Sequence, residues 1–199
     1  MHLVQRYEVL ETRPVFEGHF KVDEATIKID DAEPIHRLSV ERGDAAAVLI
    51  HRLDSDELIL VRQFRYPTVR HGIPELLEIV AGNIDAGETP DKAAIREAQE
   101  ETGYKLSMVV PIAKFFGSPG GLSELMHIYY APVEAGDRVG KGGGLEGEGV
   151  EVVTMPMVEA LKMLETPQAM DGKLLVALYW LRTRQSTLGV GAGSASTEP

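Results

Sequence analysis

The chain has 199 residues, enough for one substantial domain and a small appendage. A formal net charge of −11 argues against a nucleic-acid partner, which needs a basic surface, but not against a phosphate substrate approached through divalent cations. The absence of cysteine excludes disulfides and thiolate metal sites and fits a reducing compartment, so the expected location is the cytoplasm.

No N-terminal stretch has the basic-then-apolar layout of a signal peptide, and no apolar run approaches a membrane span, so no membrane partner is expected. Residues up to about Gly43 read as short strands: 25–29 and 35–40 alternate apolar and polar around turn chemistry at 30–34. Two or three strands are marginal alone, so this piece, 1–43, must pack on a core or on a partner chain. A second domain is expected over 44–184. It opens with two apolar runs, 45–50 and 58–61, that read as buried strands around a turn at 54–56, and a third run, 76–81, leads into Gly82.

The clearest helix spans about Pro90 to Thr102, with Thr89 at the N-cap, Pro90 at the first helical position and Gly103 at the stop. Strands follow at 109–116 and 125–131, separated by the turn at 117–124. The glycine-rich, acidic stretch Gly140–Gly149 reads as a mobile loop. Another strand is expected at 150–155, then helices at 158–164 and 173–182 with Trp180 packed into the core. The composition of 185–199 predicts a disordered tail.

Glu97, Glu100 and Glu101 stand three and four residues apart, within about a 100° sector of an α-helix. Like charges at that spacing are mildly destabilising and call for a counter-charge. Arg96 offsets part of it, and a divalent cation would offset more, because hard cations prefer carboxylate oxygens. Spacing alone fits an acidic solvated face equally well.

The surrounding residues decide between these readings. The stretch from Gly82 to Tyr104 resembles the Nudix box: glycine, five residues, glutamate, seven residues, then Arg-Glu-apolar-any-Glu-Glu-any-Gly-apolar. Every fixed position is filled, by Gly82, Glu88, Arg96, Glu97, Glu100, Glu101 and Gly103. The resemblance implies an α/β fold, the Nudix α/β/α sandwich of helices about a mixed sheet, with a small N-terminal antiparallel β domain. It implies magnesium, or alternatively manganese, held by Glu97, Glu100, Glu101 and the carbonyl of Ala81, with Arg96 and Glu88 orienting the ligands. Such ions neutralise a diphosphate and lower the pKa of a bound water.

Features outside the box resemble those Nudix hydrolases that cleave ADP-ribose or GDP-mannose. Pro119 lies fifteen residues past Tyr104, where that group carries a Ser-Pro-Gly element, here within 118–124. The strand 60–65 resembles the one that precedes the box in the same group. By this likeness Arg62, Arg65, Glu78, Pro119 and Glu124 are expected to contact substrate. Within 142–151 Glu146 is expected to be the catalytic base and Glu148 a metal ligand, although the relatives' usual aspartate is replaced by Gly149. Group members have an N-terminal β domain packed across a two-fold axis, so a homodimer is expected. The reading leans to ADP-ribose, giving AMP and ribose 5-phosphate. GDP-mannose is the alternative, and a non-catalytic nucleotide-sugar sensor is the rival from another class. None of the six histidines forms a His-Glu-x-x-His pair, which removes a zinc-protease reading.

Overall fold

The computed structural model describes residues 5–144 and 149–184. The expected tail and the two loop glutamates Glu146 and Glu148 lie outside the described residues. The chain divides into two compact units, one of 1–44 with 115–126, the other of 45–114 with 127–199.

The first unit is built on an antiparallel meander of β1 (Tyr7–Glu17), β2 (Lys21–Ile29) and β3 (Ile35–Glu41). The turn between β2 and β3 is fixed by Asp30, whose φ of 50° suits a short polar side chain and whose carboxylate accepts the Arg6 amide at 2.9 Å. β1 is longer than anything the local pattern suggested, and two register irregularities interrupt its pairing with β2. One falls beside Pro14, which lacks an amide hydrogen and is tolerated because β1 is the sheet's edge. All eleven residues of β1 are exposed, including Tyr7, Val9, Leu10, Val15 and Phe16.

The second unit is a seven-stranded mixed sheet, ordered β10-β5-β4-β9-β8. Its members are β4 (Ala45–Arg52), β5 (Glu57–Phe64), β6 (Glu75–Glu78), β7 (Val80–Asn83), β8 (Val110–Phe116), β9 (Leu125–Val133) and β10 (Glu151–Pro156). β4 and β5 pair only near their hairpin, Ile50↔Ile59 to Arg52↔Glu57. Beyond it they separate, and the apolar run 76–81 divides between two strands that fill both edges. β6 pairs with β5 (Val61↔Glu78) and β7 with β4 (Ala47↔Ala81).

Three helices complete this unit: α1 (Pro90–Thr102), α2 (Met157–Lys162) and α3 (Gly172–Arg184). Alternation along β4 divides the core between the two faces of the sheet. Ala46, Val48 and Ile50 pack with Ile59, Val61 and Val80 against Ala93, Ala94 and Ala98 of α1. The small alanines let the helix approach the sheet closely, which brings its acidic side to the rim. Leu49 and His51 have the opposite parity, and α3 buries Leu174, Leu178 and Leu181. On that side His51 Nδ1 meets the Tyr130 hydroxyl at 2.9 Å, and the Tyr130 and Trp180 rings lie 5.2 Å apart. Trp180 is half-buried rather than enclosed, because α3 is covered on one face only.

Candidate active site

α1 begins and ends as its sequence dictates. Thr89 takes the extended N-cap conformation, φ −91° and ψ 150°, without a side-chain capping bond, and Pro90 supplies the first turn. Gly103 closes the helix at φ 76°, its amide donating to the Gln99 carbonyl at 3.0 Å. A β-carbon on Gly103 would strike the Gly140 carbonyl, so this glycine is required for both conformation and close approach.

Arg96 is the hub of the acidic side. Its Nε and Nη2 donate to the two oxygens of Glu88 at 3.1 and 2.9 Å, and Nη2 also reaches the Asn83 carbonyl at 3.0 Å. Its Nη1 donates to Glu97 at 2.7 Å and, more weakly, to Glu100 at 3.3 Å. Glu88 in turn accepts the Asp85 amide at 3.2 Å, which ties the turn before α1 to the helix. The hydrogen bond from Arg96 holds the Glu88 carboxyl below its ordinary range, and Glu88 in turn raises the arginine's pKa. Glu101 is buried, and Gln63 of β5 donates to it at 3.3 Å.

With Arg96 counted, Glu88, Glu97, Glu100 and Glu101 leave a formal charge of −3 on five side chains. Among the described residues no three acidic or histidine side chains form a finished cation cage, because the carboxylates close on Arg96. Their chemistry still suits a hard divalent ion, since all the donors are carboxylate oxygens on one helical sector. Gly82, next to Ala81 in β7, adds a specific fit: a β-carbon there would fall on the Glu97 carboxylate. The backbone leaves that space for the side chain.

The start of the glycine-rich loop, expected to be mobile, is pinned to the end of α1 in its described part. Gly143 and Gly144 donate to the carbonyls of Glu101 and Glu100 at 2.7 and 3.2 Å. Helix C-terminal carbonyls need such donors, and glycine at φ 70° (Gly142) lets the chain turn back onto them.

Other expected site residues are placed differently. Arg62 pairs with Glu151 across β5 and β10 at 2.9 Å, an exposed contact of small energetic weight. Arg65 forks onto Glu78 with bonds of 2.6 and 2.9 Å. Glu78, expected to touch substrate, is 1% exposed and is held by Arg65 and by Lys173 at 2.9 Å. Its carboxylate therefore acts on its neighbours. Burial works to raise the Glu78 pKa, but the hydrogen bond from Arg65 and the charge of Lys173 outweigh it and hold the carboxyl low. Lys173 is also held by Asp171 at 2.7 Å, and Asp171 caps α3 through the Leu174 amide at 2.9 Å. Sequence reasoning missed Asp171 and Lys173; an aspartate just before a helix start was the available signal.

In the first unit, Pro119 is exposed in a turn closed by the Gly121 and Leu122 amides on the Ser118 carbonyl. Glu124 pairs with Arg42 at 3.3 Å.

A loop–helix–loop bearing Glu88, Arg96, Glu97, Glu100 and Glu101 on the rim of a mixed sheet defines the Nudix class. The family description "NUDIX domain" matches residues 41–176, and the chain belongs to this family of hydrolases. Similar proteins include a GDP-mannose pyrophosphatase of Cronobacter sakazakii, 34% identical over 183 residues that cover 89% of this chain and 95% of that one. Another is a GDP-mannose pyrophosphatase of Escherichia coli, 33% identical over 187 residues, 91% of this chain and 97% of the relative. The crystal structure of an ADP compounds hydrolase superposes with a TM-score of 0.75 at 22% identity, covering 95% of this chain and 99% of that chain, a likeness of fold. Nudix hydrolases generally use divalent metal ions. Among the described residues no helix is long and apolar enough to cross a membrane.

Proposed function

We propose that the protein hydrolyses the diphosphate of a nucleoside diphosphate sugar, with GDP-mannose as the preferred substrate and GMP and mannose 1-phosphate as products. The observation that carries this reading is the Arg96 hub, which gathers Glu88, Glu97 and Glu100 beside the side-chain-free Cα of Gly82. The names of the relatives at 33–34% identity over about nine-tenths of the chain support GDP-mannose over ADP-ribose.

Glu97, Glu100, Glu101 and the Ala81 carbonyl would hold magnesium, with manganese as the alternative. When bound, the metal neutralises the diphosphate and makes a water acidic enough to attack. Glu88 and Arg96 fix the orientation of the ligand carboxylates, because a guanidinium bonded on two edges cannot rotate. Arg65, locked by Glu78, offers positive charge to the substrate, and Arg62, Pro119 and Glu124 complete its contacts. Glu146 takes a proton from the attacking water and Glu148 serves as a further ligand. The water oxygen bonds to one phosphorus while that phosphorus loses its bond to the bridging oxygen, which leaves on the second phosphate.

The domain boundaries proposed are 1–43 and 44–184. The exposed apolar residues of β1 support a role for the first of these in forming a homodimer.

The test is magnesium-dependent turnover of GDP-mannose, ADP-ribose, ADP-glucose and a nucleoside triphosphate, read by phosphatase-coupled phosphate release. GDP-mannose favoured over the rest is the expected result. Preference for ADP-ribose would change the named substrate, and preference for the triphosphate would overturn the class. Binding of a nucleotide sugar with no turnover would leave a sensor.

A further inference from the structure

Glu101 is fixed from two sides, both within the second unit. Its carbonyl accepts the Gly143 amide at 2.7 Å, and a β-carbon on Gly142 would strike that carbonyl, so the returning loop clamps the backbone at the end of α1. Its side chain is buried, and Oε1 accepts a hydrogen bond from Gln63 Nε2 at 3.3 Å. An ionised carboxylate can only accept, so the amide nitrogen of Gln63 is the atom that faces it.

Strand alternation brings Gln63 there. Ile59, Val61 and Gln63 share one face of β5, and the first two pack in the cluster that holds Ala93, Ala94 and Ala98 of α1. Pairing with Leu76 of β6 holds the Gln63 backbone in the sheet. A half-buried glutamine orders a long side chain, at a cost in entropy, where a leucine would extend the apolar row. The kind of donor also matters. Arg96 brings a unit positive charge to Glu97 and Glu100. On β5 the nearby cation, Arg65, forks onto Glu78. What Gln63 turns to Glu101 is a neutral amide, which orients a carboxylate without offsetting its charge.

We propose that Gln63 is a positioning residue for the metal carboxylate Glu101: it holds the side chain in one orientation by a contact that leaves its negative charge for a divalent cation. The proposal rests on the metal-dependent reaction given above. Gln63 acts through Glu101, so its loss weakens cation binding and slows the chemical step while the affinity for nucleotide sugar is kept.

The experiment titrates manganese calorimetrically into the full chain as wild type, Gln63→Leu, Gln63→Lys, Glu101→Gln and the double variant of Gln63→Leu with Glu101→Gln. In parallel, kcat and KM for the preferred nucleotide sugar are measured at saturating magnesium. Gln63→Leu should weaken manganese binding about tenfold and lower kcat by a similar factor, with KM within about twofold. Gln63→Lys keeps a donor but adds a positive charge, and should bind manganese more weakly still. In the Glu101→Gln background, Gln63→Leu should change manganese affinity by no more than about twofold. Thermal melting checks that each variant is folded, and Gln63→Met serves if Gln63→Leu is not. Unchanged manganese affinity in Gln63→Leu would overturn the proposal, as would wild-type affinity in Gln63→Lys. An undiminished loss in the Glu101→Gln background would also overturn it, since a packing defect does not depend on the charge of Glu101. A wild type that turns over no nucleotide sugar would overturn the reaction alone, because the manganese titration still decides the role of Gln63. A wild type that binds no manganese would overturn the metal site, and this proposal with it.

Discussion

The Cα of Gly82 lies so close to the carboxylate of Glu97 that a β-carbon on the glycine would occupy the carboxylate's place. Gly82 sits in β7, paired with Ala46, and Glu97 sits on α1, so the contact sets the distance between strand and helix at the box. Gly82→Ala should displace Glu97 while α1 remains packed by Ala93, Ala94 and Ala98. The expected loss is about a hundredfold in kcat, with a raised magnesium requirement and an unchanged far-UV circular dichroism spectrum. An active variant with the wild-type magnesium dependence would remove Glu97 from the metal site.

Glu101→Gln tests the buried end of the same site. The amide keeps the volume but removes the charge, so turnover should fall on the order of a hundredfold or more. Glu159→Gln, on the short α2, should leave turnover unchanged. Isothermal titration with manganese provides a separate check, since the Glu101 variant should bind it more weakly. Unchanged turnover in Glu101→Gln would sink the metal assignment.

Glu78 joins Arg65 to Lys173 out of contact with water. Removing its charge leaves both cations without their shared partner and should cost about 3 kcal/mol, the low end for a buried pair because the Arg65 side chain is 39% exposed. The pH dependence follows from the direction of the shift. The folded state holds the Glu78 carboxyl below its ordinary value of 4.5, so its contribution is present above that value and is lost as pH falls through the lower folded pKa. Urea midpoints of wild type and Glu78→Gln should therefore differ at pH 7 and converge in acid. A constant difference across that range would refute the ion-pair account.

On the α3 face of the sheet, His51 is wholly buried between Tyr130 and Asp56, at 2.9 Å from each. Burial, with the nearby charge of Asp56, pushes the Tyr130 hydroxyl up to about 12, so it stays protonated at neutral pH. Tyr130→Phe should destabilise the fold by about 1–3 kcal/mol by leaving a ring nitrogen of His51 without its partner. Thermal unfolding would show the loss, and kcat should be unchanged because this contact is on the opposite face of the sheet from α1.

The exposed apolar residues of β1 predict a dimer. Sedimentation velocity should show one for the wild type, and Phe16→Asp should shift it toward monomer. A monomeric wild type at micromolar concentration would remove the first unit's proposed role.

The box helix was legible because its signals are local. Thr89, Pro90 and Gly103 mark its ends, the alanines mark its inner side, and the 3.6-residue period brings Glu97, Glu100 and Glu101 together. The hairpin of β4 and β5 was legible for a similar reason, since continuous apolar runs identify strands covered on both faces. β1 was not, because it has polar and apolar residues exposed alike and so carries no alternation to read.

By itself the sequence determined the family, the carboxylates of the box and the order of most elements, all of which depend on residues within a few turns of one another. Only the tertiary structure decided which strand each half of 76–81 would join, and that Glu78 would be buried against Arg65 and Lys173. It also decided that Ser123 would reach Glu41, 82 residues away. Such pairings depend on long loop closures and on sheet register, where a shift of one residue reverses every side chain, and local spacing holds no record of them.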